Sequence, residues 1–142
     1  GGGGGGASSP AAARVDNWAV RYPTYAGDVA KVLVALAERK MKHCGFYGTW
    51  HWSARTAYTK YEMVRTMARV LGARDTSHVT PVDDAPSDGA ARPHDCALDT
   101  SAARLMGIGP KDELDFEKRI VLVLKAFDER CRSRADAADA AA

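Results

Sequence analysis

Apolar residues recur at helical spacing in the stretch that follows Gly27. They are Val29, Val32, Leu33 and Leu36. This spacing puts them on one face of a helix, so the pattern predicts a helix from Asp28 to about Lys42. A carboxylate at a helix start can accept a free backbone N–H, and we therefore assign Asp28 as the N-cap of this helix.

A second helix is predicted after Thr59. Thr59 and Glu62 have the spacing of a capping box, in which each side chain accepts a backbone N–H at the helix start. Gly72 can adopt the left-handed conformation that often ends a helix. The apolar stripe between them consists of Met63, Val64, Met67, Val70 and Leu71.

Two more helices are predicted in the last third of the chain. A short one fits Thr100 to Met106, with Asp99 or Thr100 as the cap and Gly107 as the stop. The longer one begins near Asp112 and runs to about Arg130. Its predicted buried face consists of Ile120, Val123, Leu124 and Phe127.

Strand signals are few. The run from Phe46 to Trp52 is rich in aromatic residues and bounded by Gly45 and Ser53, which predicts a strand. Alternation would put Trp50 and Trp52 on one face, and we interpret them as core residues and not as a binding platform. The run 77–82 is predicted to be a short strand, which Pro81 confines to a sheet edge or a strand end because it lacks an N–H. The pattern predicts an α+β fold with three to four helices and two to three short strands.

Composition bounds the foldable part of the 142-residue chain. Residues 1–13 are rich in Gly and Ala, and residues 133–142 are rich in Ala and Asp, so both are predicted to be disordered tails around one domain at 14–132. Twenty Lys and Arg against eighteen Asp and Glu give no support for a nucleic-acid surface. The longest apolar run is too short to cross a membrane.

Cysteine usage bears on the compartment. The chain has three Cys, widely spaced and without a CxxC pair, and its start has neither a basic nor an apolar stretch. We therefore expect reduced thiols in an intracellular protein, placed in the cytoplasm. His94 and Cys96 are two residues apart, but a metal site would need two further ligands, and none is predicted.

Three motifs together resemble the substrate-binding lobe of the extended short-chain dehydrogenase/reductase superfamily. They are RYPTYAGDVA (21–30), GTWHWS with TKYEM, and ARPHDCALDTSAARLMGIGP (91–110). The resemblance implies that the Rossmann half of the superfamily is missing from this chain, since no Gly-rich dinucleotide loop and no Tyr-x-x-x-Lys pair occurs. The chain alone is therefore not expected to be an enzyme or to hold a cofactor, whereas a full-length parent would bind NADP(H).

Within the superfamily, the motifs are similar to those of the regulatory (beta) subunit family of methionine adenosyltransferase. This likeness implies a non-catalytic regulator of S-adenosylmethionine biosynthesis that binds the methionine adenosyltransferase catalytic subunit. Two alternatives stay open. One is the substrate-binding part of a dTDP-4-dehydrorhamnose reductase-type NADPH oxidoreductase, and the other is a degenerate lobe that serves as an interaction module. A missing Rossmann lobe is a further possible partner, and its absence would leave an apolar face exposed.

The resemblance also implies site residues. Arg92, in the Arg-Pro motif, is the candidate for the diphosphate of a nucleotide sugar, because a guanidinium can donate two bonds at once; the alternative is a loop Arg paired with a nearby carboxylate. Arg21 and Thr24 lie at the joint between the lobes and are candidates for substrate or for bracing the other lobe. Phe127, Arg130 and Arg132 are the partner-binding candidates, at the approach to the C-terminal tail. The alternative is a charged, solvated helix end, because the tail has Ala and Asp where the family has aromatic and apolar anchors.

Overall fold

A computed structural model of the chain describes residues 12–73, 75–87 and 90–139. For Asp128 and residues 131–139 it describes the backbone alone. The elements are, in chain order, β1 (Ala13–Asp16), α1 (Ala26–Lys42), α2 (Lys60–Val70), β2 (Val79–Val82), α3 (Ser101–Leu105) and α4 (Phe116–Asp139). This mixed arrangement confirms the predicted α+β class.

The two strands pair in parallel, with Ala13 opposite Val79 and Asp16 opposite Val82. β2 was predicted, and as one of the two strands of this sheet it lies at an edge, where Pro81 is tolerated. β1 was not predicted. Its four residues, Ala-Arg-Val-Asp, alternate between apolar and polar, but this pattern is too short to predict a strand by itself. The partner that makes them a strand is more than sixty positions away along the chain.

The aromatic run is not a strand. Phe46–Trp52, which the structure describes in full, has no ladder partner and follows an irregular path. Phe46 and Trp50 stack with ring centroids 4.8 Å apart. Trp52 covers Gly109, whose φ of 133° favours glycine and where an added Cβ would collide with the indole. The prediction of a strand was wrong because these side chains are satisfied by packing and not by strand pairing.

The core is small and lies beneath α1. Val32, Ala103 and Ile108 are its buried centre, and Trp50 and Trp52 pack against it. The assignment of the two tryptophans to the core is therefore confirmed, although their shared strand face is not. Among the described residues, the buried hydrophobic set is Ala19, Val32, Ala54, Ala103 and Ile108.

Asp28 is not the N-cap of α1. The helix begins two residues earlier, with Tyr25 at the cap position and no side-chain capping bond. Asp28 lies in the first turn, buried, and its carboxylate accepts two bonds from Nη2 of Arg119, at 2.9 and 3.2 Å. The charged guanidinium is a stronger partner for a buried carboxylate than a backbone N–H, which explains the departure from the predicted role.

The capping box of α2 is confirmed. Glu62 N donates to Thr59 Oγ1 at 3.1 Å, and Thr59 N donates to Glu62 Oε2 at 2.7 Å. Gly72 has a φ of 71°, as expected for a helix stop. The short helix α3 also follows its prediction, and Gly107 after it has a φ of 66°.

The long helix α4 differs from its prediction at both ends. Asp112 pairs with Lys31 at 3.3 Å outside the helix, and Asp115 accepts the backbone N–H of Lys118 at the actual start. The helix continues to Asp139, beyond the predicted end near Arg130. The alanines in this last part favour helix strongly, which accounts for the extension. Among the described residues, no helix is both long and apolar enough to cross a membrane.

Candidate functional site

The segment that carries Arg21 and Thr24 lies between two other parts of the chain. Val20 N donates to His94 O at 2.7 Å, and Cys96 N donates to Val20 O at 3.2 Å. On the next residue, the backbone groups of Arg21 exchange two bonds with those of Tyr58, at 2.8 and 2.9 Å. The fold therefore brings the Arg21 segment next to the loop that carries Arg92.

The Arg21 side chain faces a carboxylate of its own lobe. Its Nη2 lies 3.7 Å from Asp16 Oδ2, and its Nε is buried with no hydrogen-bond partner among the described residues. Asp16 also accepts the backbone N–H groups of Trp18 and Ala19, at 2.9 and 3.0 Å. The Ala19 bond is the largest cause that lowers the pKa of Asp16, with smaller help from Lys60 and Arg21. Asp16 is therefore a fixed anion that orients Arg21.

Thr24 uses its hydroxyl group within the chain. Its Oγ1 donates to Tyr22 O at 2.9 Å and accepts from Ala54 N at 3.0 Å. Because the only donor of the hydroxyl is engaged, a ligand would have to approach the remaining acceptor position. The bond from Ala54 N links the residues that precede α1 to the loop after Trp52. A ligand role for Thr24 stays a prediction.

Arg92 is exposed and forms no ion pair or hydrogen bond with another described residue. The loop beyond it is fixed by side-chain contacts to the Arg21 segment. Trp18 and His94 meet edge to face with centroids 4.8 Å apart, and Tyr22 Oη lies 3.4 Å from Asp95 Oδ2. Arg92 therefore lies on the loop that packs against the Arg21 segment, and its role as an anion ligand stays a prediction.

Tyr22 and Asp95 are residues of this edge that sequence reasoning missed. Loss of water, and then the negative charge of Asp95, raise the pKa of the Tyr22 hydroxyl. The phenol therefore stays protonated and donates its one hydrogen to Asp95 Oδ2. The signal that could have found the pair is weak, because Tyr22 and Asp95 are far apart in sequence and meet only through the bridge at Val20.

A second polar cluster, centred on Arg104, was also missed. Arg104 Nη1 lies 2.8 Å from Glu113 Oε2, and Nη2 donates to Ser53 O at 2.9 Å. The guanidinium stacks 4.2 Å above the Trp52 ring. A cavity of about 440 Å³ adjoins the cluster and is lined partly by Arg55, Lys111 and Lys118. Arg104 has its partners within the chain, so its role is to hold α3, Trp52 and the 110–115 loop together.

The partner-binding candidates lie on α4. Phe127 and Val123 are 58% and 37% exposed, which corrects their predicted place on the buried face of the helix. Phe127 borders an apolar groove of about 570 Å³ between α2 and α4, which Val70 and Leu71 also line. Arg130 Nε donates to Ala126 O of its own helix at 3.1 Å. The side chain of Arg132 lies outside the described residues.

No group of three or more His, Cys, Asp or Glu side chains within the described part of the chain is placed to hold a metal ion. The candidate site has two parts. One is the edge of cationic and hydrogen-bonding groups that carries Arg21, and the other is the apolar groove between α2 and α4. Such a surface can bind an anion or a protein. A nucleophile with an adjacent base is not among the contacts described above.

Comparison with known proteins gives this arrangement a context. The sequence model of the RmlD substrate binding domain matches residues 6–128. The chain is 40% identical to methionine adenosyltransferase 2 subunit beta of Bos taurus over 100 residues, which are 70% of this chain and 30% of that protein. It is 37% identical to the protein of the same name from Xenopus laevis over 121 residues, 85% of this chain and 36% of the relative. The chain thus spans about a third of the length of these relatives.

Proposed function

The chain belongs to the RmlD substrate binding domain family, and from this premise we propose that it acts by binding, as a regulatory-subunit-like partner of a methionine adenosyltransferase catalytic chain. The observation that carries the proposal is the identity of 40% with subunit beta of that enzyme over most of the chain. Its role in S-adenosylmethionine biosynthesis would be to dock on the catalytic subunit and alter its stability or affinity.

The exposed side of α4 supports docking. Phe127 and Leu71 are both more than half exposed and flank one groove, where a partner side chain would remove them from water. A buried aromatic anchor is the kind of residue that dominates binding energy at protein interfaces. Arg130, one turn further along α4, would add a charged contact at the rim of this interface.

The direct test is co-purification of this chain with a tagged methionine adenosyltransferase catalytic chain. We expect a complex at micromolar concentration, and Phe127→Glu should lose it. Leu105→Glu is the matched control, because Leu105 is 88% exposed but lies on α3. If neither this chain nor a longer parent forms a complex, the proposal is wrong.

The description of the matched family favours a second candidate, the binding of a nucleotide sugar. Arg92 and Arg21 at one edge would hold the diphosphate. In a full-length parent, this lobe would present the sugar to NADP(H) held by other residues. Isothermal titration of the chain with a dTDP-sugar tests the candidate. Millimolar or tighter binding that Arg92→Gln weakens about tenfold supports it, and no heat above dilution contradicts it.

A further inference from the structure

Helix α1 is apolar on two sides. Its inner side contributes Val32 and Leu36 to the core. On the other side, Leu33, Val34 and Met41 are 61%, 58% and 86% exposed. The prediction that Leu33 shares the face of Val32 was therefore wrong. A surface helix is ordinarily polar on the side away from the core. The outer face, as we name it, consists of Ala30, Leu33, Val34, Ala37 and Met41, all exposed.

The residues of the outer face lie in one stripe, because their spacing follows the helical repeat of three and four residues. The sizes of the first four side chains, from Ala30 to Ala37, are small, large, large, small. This order of sizes is the same when the helix is followed from its C-terminal end. A two-fold interface requires a surface that is complementary to itself, and this stripe meets that requirement for an antiparallel pair.

The charges beside the outer face are arranged in the same way. Lys31 and Glu38 are both exposed and lie seven residues apart on the same edge of α1. A rotation of 180° about a point between Leu33 and Val34 brings Lys31 of one copy beside Glu38 of the other, and the reverse. A parallel two-fold pair would instead put the Lys31–Glu38 edges of the two copies on opposite sides of the interface, where these charges could not pair. Lys31 itself is 54% exposed and can reach across, although it lies 3.3 Å from the exposed Asp112 and 3.8 Å from the buried Asp28.

We propose that two copies of this chain associate through the outer face of α1 as an antiparallel, two-fold-symmetric helix pair. Leu33 of each copy packs on Val34 of the other, and Ala30 on Ala37, where the small side chains let the helices approach closely. Met41 of each copy reaches toward the start of α1 in the other copy, where Tyr25 is 43% exposed. One helix per copy buries less than a standard interface of about 800 Å² per partner, so the affinity is in the micromolar range.

Sedimentation equilibrium of the 142-residue chain between 1 and about 200 μM tests the proposal. We expect a monomer–dimer equilibrium that Val34→Glu weakens at least tenfold, since the dimer would bury an unpaired charge. Leu105→Glu, the same change at an exposed site outside the outer face, should leave the equilibrium unchanged. Circular dichroism of each variant checks that the helices are kept.

A charge-swap experiment tests the antiparallel geometry. Glu38→Lys alone and Lys31→Glu alone should each weaken the dimer, whereas an equimolar mixture of the two variants should associate about as well as the unmodified chain. A chain that stays monomeric at 200 μM overturns the proposal. A dimer that Val34→Glu leaves intact also overturns it, because the interface would then lie on another surface. A mixture of the two charge variants that associates no better than either variant alone contradicts the antiparallel geometry.

Discussion

The buried ion pair between Asp28 and Arg119 offers the sharpest test of how the lobe is held together. The two side chains are 5% and 17% exposed, and Nη2 of Arg119 contacts both carboxylate oxygens. Arg119 also lies over the Tyr25 ring, 4.4 Å from its centroid. The pair thus joins the first turn of α1 to the first turn of α4, which are distant in sequence.

The perturbation is Arg119→Met, which keeps the length of the side chain and removes its charge. Removal of one partner from a buried pair costs about 3–5 kcal/mol, because the other charge is left without compensation. Here Lys31 lies 3.8 Å from Asp28 and is half exposed, so it compensates weakly. We therefore expect a loss of about 3 kcal/mol, at the lower end of that range.

Urea unfolding followed by tryptophan fluorescence measures this loss. With a slope of about 2 kcal/mol per molar urea, the midpoint should fall by about 1.5 M. Arg130→Met is the matched control, because Arg130 is exposed and its contact among the described residues is to the carbonyl of Ala126 on its own helix. Its midpoint should stay within about 0.25 M. A midpoint for Arg119→Met equal to that of the control would refute the role assigned to the pair.

Three further predictions concern local structure. Gly109→Ala should cost about 2 kcal/mol or more, because the φ of 133° is strained for alanine and the new Cβ meets Trp52; Gly45→Ala, with open space around it, should be near neutral by thermal unfolding. Thr59→Ala removes the cap of α2 and should lower the unfolding free energy by about 1 kcal/mol. The lowered pKa of Asp16 means that its stabilisation is present above its ordinary pKa and is lost as pH falls through the lowered one. Asp16→Asn should therefore flatten the stability profile measured between pH 5 and pH 2.

What sequence reasoning found was mostly local. The capping box at Thr59, the stop at Gly72 and the apolar stripe of α2 depend on neighbours within one or two turns, and the structure confirms the helix they predict. The edge character of β2 followed from the missing N–H of Pro81. For each of these signals, the interacting residues are close together in the sequence.

What it missed depends on distant partners. β1 becomes a strand only through β2, and Asp28 leaves its capping role because Arg119 reaches it from α4. The aromatic run at Trp50 has the composition of a strand, but Trp50 and Trp52 are partly buried by packing against the core cluster at Ala103 and against Gly109. Tertiary contacts of this kind override local preference and have no pattern in the sequence.

The candidate site likewise combines residues that the sequence could single out with residues that only the tertiary structure brings together. The resemblance singled out Arg92 and Arg21, and the bridge between Val20 and Asp95 brings their segments together. Tyr22 could not be singled out, since its partner is known only once that bridge is seen. Phe127 was predicted to be buried because it shares a helical face with Leu124, yet the groove beside it is not filled by another described part of the chain.

The central claim is that this lobe binds a methionine adenosyltransferase catalytic chain. Sedimentation velocity of the lobe mixed with that chain, each at about 10 μM, tests it most directly. The account predicts that the lobe moves with the faster boundary of the catalytic chain, and that the Phe127→Glu variant sediments alone. Two independent boundaries for the unmodified lobe, unchanged as concentration rises, would contradict the claim.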